Sequence, residues 1–219
     1  TTALPDAIQG PDLIDILAWD SSLMQMMEVA DQIGDAATFM VGSEESPPGE
    51  GYPYQSFLPD LVANPALTPE AFASLIVNNT IRELGGTFDV TQSALRLSHL
   101  PALRQALSAF AQALIEAMPQ FALNIAAARG DAQRYGHGAY TFRDYKDLQD
   151  FAEKIKAAVP SSAVQSAADA VVQALTAALV AEGHAGFTVR NSHGLSLYVP
   201  QPSDYLSSYD SLHFALNTT

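Results

Sequence analysis

The chain has 219 residues, of which 48% are hydrophobic and 16% charged, so it can bury a sizeable core and is not of disordered composition. Its formal net charge of −14 argues against nucleic acid or an anionic membrane as a partner, since both repel an acidic surface. No apolar run is long enough to span a bilayer, and the absence of cysteine excludes disulfides, thiolate metal sites and a thiol nucleophile.

The first part of the chain predicts a strand, a helix and a second strand. Leu13 to Trp19 is apolar except for Asp15, which is typical of a strand covered on both faces. Apolar residues then recur at helical spacing from Leu23 to Gly34, and Ala37 to Val41 has the composition of a strand. This order predicts two parallel strands joined by a right-handed crossover.

Three polar residues lie where the first strand passes into the helix. Asp20, Ser21 and Ser22 are predicted at the carboxyl end of the strand and the amino end of the helix. Open α/β sheets place reactive groups at this junction, where the helix dipole favours a developing anion. A serine here is either a helix cap or a nucleophile, and the spacing alone favours the cap.

A second group of polar residues follows the second strand. Ser43, Glu44 and Glu45 are interpreted either as lining the same pocket or as exposed acids on a solvated loop. The loop that continues to Tyr54 is rich in proline and glycine. It is predicted to be an ordered surface loop or one wall of a substrate cleft.

The remainder is predicted to be mainly helical, which divides the chain into residues 1–66 and 67–219. Thr68 is a predicted helix cap, and Pro119 a predicted kink in a long helix. A β-hairpin is predicted near the end of the chain. The predicted elements are a helical start at Gln55, an extended piece from Thr87 to Thr91, helices from Leu100 to Ile125, Asp147 to Val159 and Ala163 to Glu182, and hairpin strands Phe187 to Arg190 and Leu195 to Val199.

Several motifs, in the same order, resemble the clostripain-like cysteine peptidases. Asp20-Ser21-Ser22-Leu23-Met24 is similar to the family's Asp-Ala-Cys-Leu-Met, which carries the nucleophile. Ser43-Glu44-Glu45 and the Pro-Gly-x-Gly and aromatic-Pro-Tyr pattern after it are also similar. So are Ser93 to Leu97, Asp147 to Ala152 and Ser192 to Pro200, and the resemblance runs from about Leu13 to about Phe214.

The resemblance implies a caspase-like α/β fold, with a parallel or mixed sheet flanked by helices and a largely helical C-terminal half. It also implies an endopeptidase that cuts after Arg or Lys. Ser22 then stands at the position of the nucleophilic cysteine, in a mutant or an inactive form. Asp20 is a candidate acid for the basic P1 side chain, with Ser43, Glu44 and Glu45 as further substrate-binding candidates. No cofactor or metal-ligand spacing is evident, and calcium is expected by analogy with the family only.

The chain contains five histidines that could serve as a base, and each is interpreted as having a surface or loop role. They are His99, His137, His184, His193 and His213. One hypothesis is therefore the heavy chain of a peptidase whose histidine lies on a preceding segment. The alternatives are a non-catalytic homologue that acts as an acidic peptide-binding or scaffold module and, less favoured, a serine hydrolase that uses one of these histidines.

The chain is not expected to be a complete domain. A central strand from Leu13 to Trp19 needs neighbours on both edges, and the sequence offers one clear parallel neighbour. An N-terminal light chain that carries the catalytic histidine is therefore the expected partner, bound without a covalent link because the chain has no cysteine. A secreted or periplasmic bacterial location stays an expectation.

Overall fold

The computed structural model describes residue 8, residues 12–136 and residues 142–217. Their strands form a four-stranded sheet in the order β1-β2-β3-β6 and a three-stranded sheet in the order β4-β5-β7. The strands are β1 (Ile14–Ala18), β2 (Ala37–Gly42), β3 (Val90–Arg96), β4 (Arg134–Tyr135), β5 (Phe142–Asp147), β6 (Leu179–Ala185) and β7 (Ser196–Tyr198). The first sheet joins strands from both sides of residue 66.

Helices account for most of the remaining described residues, so the mixed α/β prediction is confirmed. The α-helices are α1 (Met27–Gln32), α2 (Tyr54–Ala63), α3 (Pro69–Leu84), α4 (Leu100–Asp131), α5 (Leu148–Ala158), α6 (Ser162–Ala178) and α7 (His213–Leu216). Short 3-10 turns cover Leu97–His99, Pro202–Asp204 and Ser207–Ser211. None of the described helices has the length and apolar character of a membrane-spanning segment.

The larger sheet is packed on both faces. Phe39 and Val41 of β2 point into an apolar cluster with α2 and α3, while Met40 between them points into a larger cluster with α1, α4, α5 and α6. This alternation follows from the two-residue period of a strand. The sheet is therefore a middle layer between helices, and it fixes the position of the loops at the ends of β1 and β2.

Strand β1 pairs in parallel with β2, with Ala18 opposite Val41, as the sequence predicts. It is the first strand of its sheet, and no other described strand pairs with it. The prediction that it is covered on both faces is wrong for this part of the chain, because Asp15 and Ala18 are exposed and Leu17 is only half-buried. A strand with a neighbour on one side only is covered less completely than a central strand.

The helix predicted from Leu23 begins instead at Met27. Leu23 has a φ of 59°, and Met26 is extended and forms a parallel bridge with Ser196. The backbone N–H of Ser196 donates to Gln25 O at 3.0 Å. The turn at Leu23 and the pairing of Gln25 and Met26 with a distant segment keep these residues out of the helix, although they have helical periodicity.

The end of the chain also differs from the prediction. The helix predicted up to Glu182 ends at Ala178, and β6 then pairs with β3. The hairpin is wrong, because residues 187–190 form no strand and β7 pairs with β5. Of the extended piece predicted from Thr87 to Thr91, only Val90 and Thr91 are in a strand, and they begin the longer β3. All three differences arise from pairing between segments that are far apart in sequence.

Local signals in the sequence are confirmed where they do not depend on distant partners. The hydroxyl of Thr68 accepts from Ala71 N at 3.2 Å, and the carboxylate of Asp147 caps α5 by accepting from Asp150 N at 2.7 Å. In α4, Phe121 has non-helical angles two residues after Pro119, which is the expected kink.

Candidate functional site

The segment of residues 19–25, called here the Ser22 turn, follows β1 directly. Ser21 and Ser22 are both exposed. Within the described part of the chain, the Ser22 hydroxyl makes no hydrogen bond, and α1 has no side-chain cap. Ser21 and Ser22 therefore do not cap the helix. The left-handed backbone of Leu23, which is unfavourable for a residue with a Cβ, turns the chain sharply just after Ser22.

The Ser22 turn is held by backbone hydrogen bonds to the end of β2 and to the residues that follow it. Trp19 N donates to Val41 O at 2.8 Å, and Leu23 N donates to Glu45 O at 3.4 Å. Gln25 N donates to Ser43 O at 3.1 Å. The two polar groups predicted at the ends of neighbouring strands are thus brought together.

Asp20 is exposed and lies against the proline- and glycine-rich loop. Its Oδ1 accepts from Tyr52 N at 3.0 Å, and its Oδ2 accepts from the Tyr54 hydroxyl at 2.9 Å. Gly51 has a φ of 72°, and a Cβ there would lie 2.7 Å from Asp20 Oδ2, so this position requires glycine. Asp20 therefore fixes the loop beside the Ser22 turn and keeps a carboxylate at the surface.

The other three predicted substrate-binding residues are buried. Ser43, Glu44 and Glu45 are between 1% and 2% exposed. The Ser43 hydroxyl lies 3.0 Å from the Thr91 hydroxyl, and Glu45 accepts from Gly136 N at 2.9 Å. In this structure their side chains point away from solvent, so Asp20 is the acid of the predicted set that faces outward.

Glu44 belongs to a group of side chains called here the buried acid cluster, which comprises Glu44, Tyr135, Asp147, Ser192 and His193. The Tyr135 hydroxyl donates to Glu44 Oε1 at 2.7 Å and lies 3.1 Å from the Ser192 hydroxyl. Gly194 N donates to Glu44 Oε2 at 3.1 Å. Burial, followed by the charge of Asp147, raises the pKa of Glu44 well above its usual range.

Asp147 and His193 form the part of this cluster nearest the surface. Asp147 accepts from His193 N at 2.6 Å, and its Oδ1 lies 3.0 Å from His193 Nδ1. The hydrogen bond to Asp147 raises the pKa of His193. The sequence placed His193 at a turn and did not predict this pair. The only available signal was the helix-capping position of Asp147.

The remaining histidines are dispersed. His99 ends a 3-10 turn, His184 lies on β6 and His213 begins α7, where its Nδ1 is 2.6 Å from Asp31 Oδ2. His137 lies outside the described residues. Within residues 12–136 and 142–217, no hydrogen bond joins Ser22 to a histidine. The same residues contain no group of three or more potential metal ligands.

Two comparisons identify relatives. A model of the clostripain family of peptidases matches residues 1–218. Solved structures of the same fold include an inactive zymogen C11 protease from Parabacteroides distasonis, with 18% identity and a TM-score of 0.72. This likeness covers 96% of the chain and 60% of the zymogen.

Two further solved structures are matched over nearly their whole lengths. One is a B. fragilis cysteine protease, with 21% identity, a TM-score of 0.69 and coverage of 100% of this chain and 94% of the other. Another is a clostripain from Bacteroides thetaiotaomicron in complex with the peptide inhibitor BTN-VLTK-AOMK, with 15% identity, a TM-score of 0.74 and coverage of 99% and 93%. These likenesses confirm the caspase-like fold. No curated protein matches the chain.

Proposed function

The chain belongs to the clostripain family of peptidases, and from that premise we propose that it is the heavy-chain part of an endopeptidase that cleaves after Arg or Lys. Ser22 occupies the position of the nucleophile. The observation that carries the proposal is the exposed Ser22 on a sharp turn at the end of β1, two residues after the exposed carboxylate of Asp20. A peptide at this edge would meet both groups.

The chemistry requires a thiolate at position 22. It would attack the scissile carbonyl carbon, and a histidine would protonate the leaving amine. A serine hydroxyl needs a base within hydrogen-bond reach, and none of the described residues provides one to Ser22. We therefore expect the chain, with Ser22 in this place, to bind substrate without cleaving it.

Asp20 is the proposed partner of the basic P1 side chain. Its carboxylate is exposed, and its two hydrogen bonds to the loop leave lone pairs for a third donor. Glu44 and Glu45 are buried and engaged within the chain, so their proposed contribution is to hold the Ser22 turn. The backbone bond from Leu23 N to Glu45 O supports that role.

The proposed light chain would pair with β1. On one edge of this strand no described strand pairs with the backbone N–H and C=O groups, and its side chains are half-buried or exposed. An additional strand on this edge would satisfy those groups and place a histidine from its end near Ser22. This partner is an N-terminal segment with the catalytic histidine, bound without a covalent link.

The main experiment restores the thiol. The Ser22→Cys variant, co-expressed with the N-terminal segment of the same gene, should cleave a fluorogenic Arg or Lys peptide. The parent chain should show little or no cleavage. Ser21→Cys is the matched control, because it places a thiol one residue away on the same exposed turn.

A folded Ser22→Cys complex without turnover would overturn the peptidase proposal. That result would favour the second candidate, a non-catalytic homologue that binds peptides. Two observations favour this candidate: no described residue offers a base to Ser22, and Asp20 keeps a carboxylate at the surface. Unchanged circular dichroism would establish that the variant is folded.

The proposed specificity is tested at Asp20. Asp20→Asn should weaken the binding of an Arg peptide by about tenfold, because a charged hydrogen bond is lost at a partly solvated site. Binding of the corresponding Leu peptide should change little. Asp60→Asn, on the exposed face of the neighbouring α2, is the control. Equal losses of affinity for both peptides would show that Asp20 only holds the loop and does not bind the P1 side chain.

A further inference from the structure

A cavity of about 360 Å³ lies among α1, β5, β7 and the C-terminal segment. Three tyrosines line it. The ring centroids of Tyr145 and Tyr198 are 5.7 Å apart, and those of Tyr198 and Tyr209 are 5.1 Å apart, with tilted planes in both pairs. The other lining residues are Met26, Glu28, Val29, Leu206, Ser208, Ser211 and Leu212. The cavity is therefore aromatic and apolar, with one ionisable carboxyl group.

That carboxyl group is only half-satisfied. Glu28 is 7% exposed, and its Oε1 accepts from Tyr198 N at 2.9 Å and from the Tyr209 hydroxyl at 2.8 Å. Its Oε2 is buried and has no hydrogen-bond partner within the described residues. None of the described residues that line the cavity is basic. A buried carboxylate without a cation is unfavourable, since burial removes its hydration.

The electrostatic environment agrees with this geometry. Burial raises the pKa of Glu28. Burial and then the charge of Glu28 raise the pKa of Tyr145 and of Tyr209. The region therefore disfavours a further negative charge, and a positive charge in the cavity would compensate Glu28.

We propose that this cavity binds a methylated ammonium group against the wall formed by the packed rings of Tyr145, Tyr198 and Tyr209, with Glu28 as its counter-charge. Aromatic rings attract such cations through their negative faces. A methylated ammonium group needs few hydrogen-bond acceptors, and most of the residues that line the cavity are aromatic or aliphatic. The lining includes no residue of the Ser22 turn, and the site does not rest on the proposed peptidase function.

The charge of the ligand is the decisive property. Choline represents a free methylammonium ligand, and the amide of acetylated trimethyllysine represents a protein side chain. 3,3-Dimethylbutanol is the neutral isostere of choline. In calorimetric or NMR titrations, we expect the cations to bind with millimolar dissociation constants and the alcohol to bind about tenfold more weakly. Tighter binding of one cation identifies the source of the ligand.

Variants of the protein test the same point independently. Glu28→Gln keeps the shape of the side chain and removes its charge. It should therefore weaken the binding of choline about tenfold and leave the binding of the alcohol unchanged. Glu116→Gln, which removes an exposed acid on α4, should change the binding of neither ligand. Equal affinity of parent protein for choline and the alcohol, or no saturable binding of either cation at millimolar concentration, would overturn the proposal. This comparison of ligands remains decisive if Glu28→Gln does not fold.

Discussion

The Ser22 turn and the buried acid cluster begin at neighbouring strand ends but differ in almost every physical respect. In the turn, Asp20 and Ser22 face solvent, and backbone hydrogen bonds hold the chain in place. In the cluster, Glu44 and Tyr135 are excluded from water and bound to each other. Asp20 and Glu44 are only 24 positions apart, yet Asp20 is exposed to solvent and Glu44 connects segments inside the protein.

The ends of the strands fix where these side chains lie, whereas burial decides what each side chain can do. An exposed carboxylate keeps its charge at little cost and can bind a cationic ligand. A buried carboxylate must be bonded on all sides or protonated. The cluster joins the loop after β2 to the segments around β4, α5 and residue 193, and so it supports the turn from behind. The following predictions test this contrast.

The largest effect is expected for Asp147. Asp147→Ala removes the cap of α5 and leaves His193 N without an acceptor, so the free energy of unfolding should fall by about 3 kcal/mol. Urea denaturation measures this change. Asp169 on α6 forms an exposed ion pair with Lys156. Asp169→Ala should therefore lower the free energy of unfolding by less than about 1 kcal/mol. Similar losses for the two variants would contradict the special role of the cluster.

A smaller effect is expected for the tyrosine hydroxyl groups. Tyr135→Phe removes the buried hydrogen bonds from the Tyr135 hydroxyl to Glu44 Oε1 and to the Ser192 hydroxyl, which should cost about 2 kcal/mol in urea denaturation. Tyr54→Phe removes a hydroxyl that binds Asp20 at the surface, where water can replace it, and should cost less than about 0.5 kcal/mol. Equal decreases in the free energy of unfolding for Tyr54→Phe and Tyr135→Phe would contradict the contrast between the exposed and the buried hydroxyl group.

The pH dependence of stability gives the most specific test. Because the folded pKa of Glu44 is raised above its usual 4.5, the folded chain keeps a proton that the unfolded chain has released. Stability should therefore fall as pH rises from about 4.5 towards the raised pKa. Glu44→Gln mimics the protonated acid and should flatten this part of the curve.

Other titrating groups must be separated from Glu44 in that experiment. Asp147 and Tyr135 face Glu44, and His193 lies on the far side of Asp147. The raised pKa of His193 also makes stability fall as pH rises through it, but this contribution is common to parent and variant. Parallel stability curves for the two proteins would show that Glu44 does not titrate in this range.

Local signals in the sequence determined a substantial part of the protein. The runs from Leu13 to Trp19 and from Ala37 to Val41 predicted two parallel strands, Pro119 predicted a kink, and Thr68 and Asp147 predicted the starts of helices. The ordered motifs identified the family, whereas the place of Ser22 at the position of the nucleophile stays a prediction. Each of these signals is formed by residues that are close together in the sequence, so it can be recognised without the folded structure.

Only the tertiary structure decided the rest, because it depends on contacts across long sequence separations. Met26 forms a bridge with Ser196, and α1 begins only after it. Leu179 to Ala185 pair with β3 and form a strand, although the predicted helix continues to Glu182. Glu44 is buried because Tyr135 and Gly194, 91 and 150 positions further along, fold over it. The physical reason is that burial and pairing belong to the packed chain, whereas propensity and periodicity belong to the local segment.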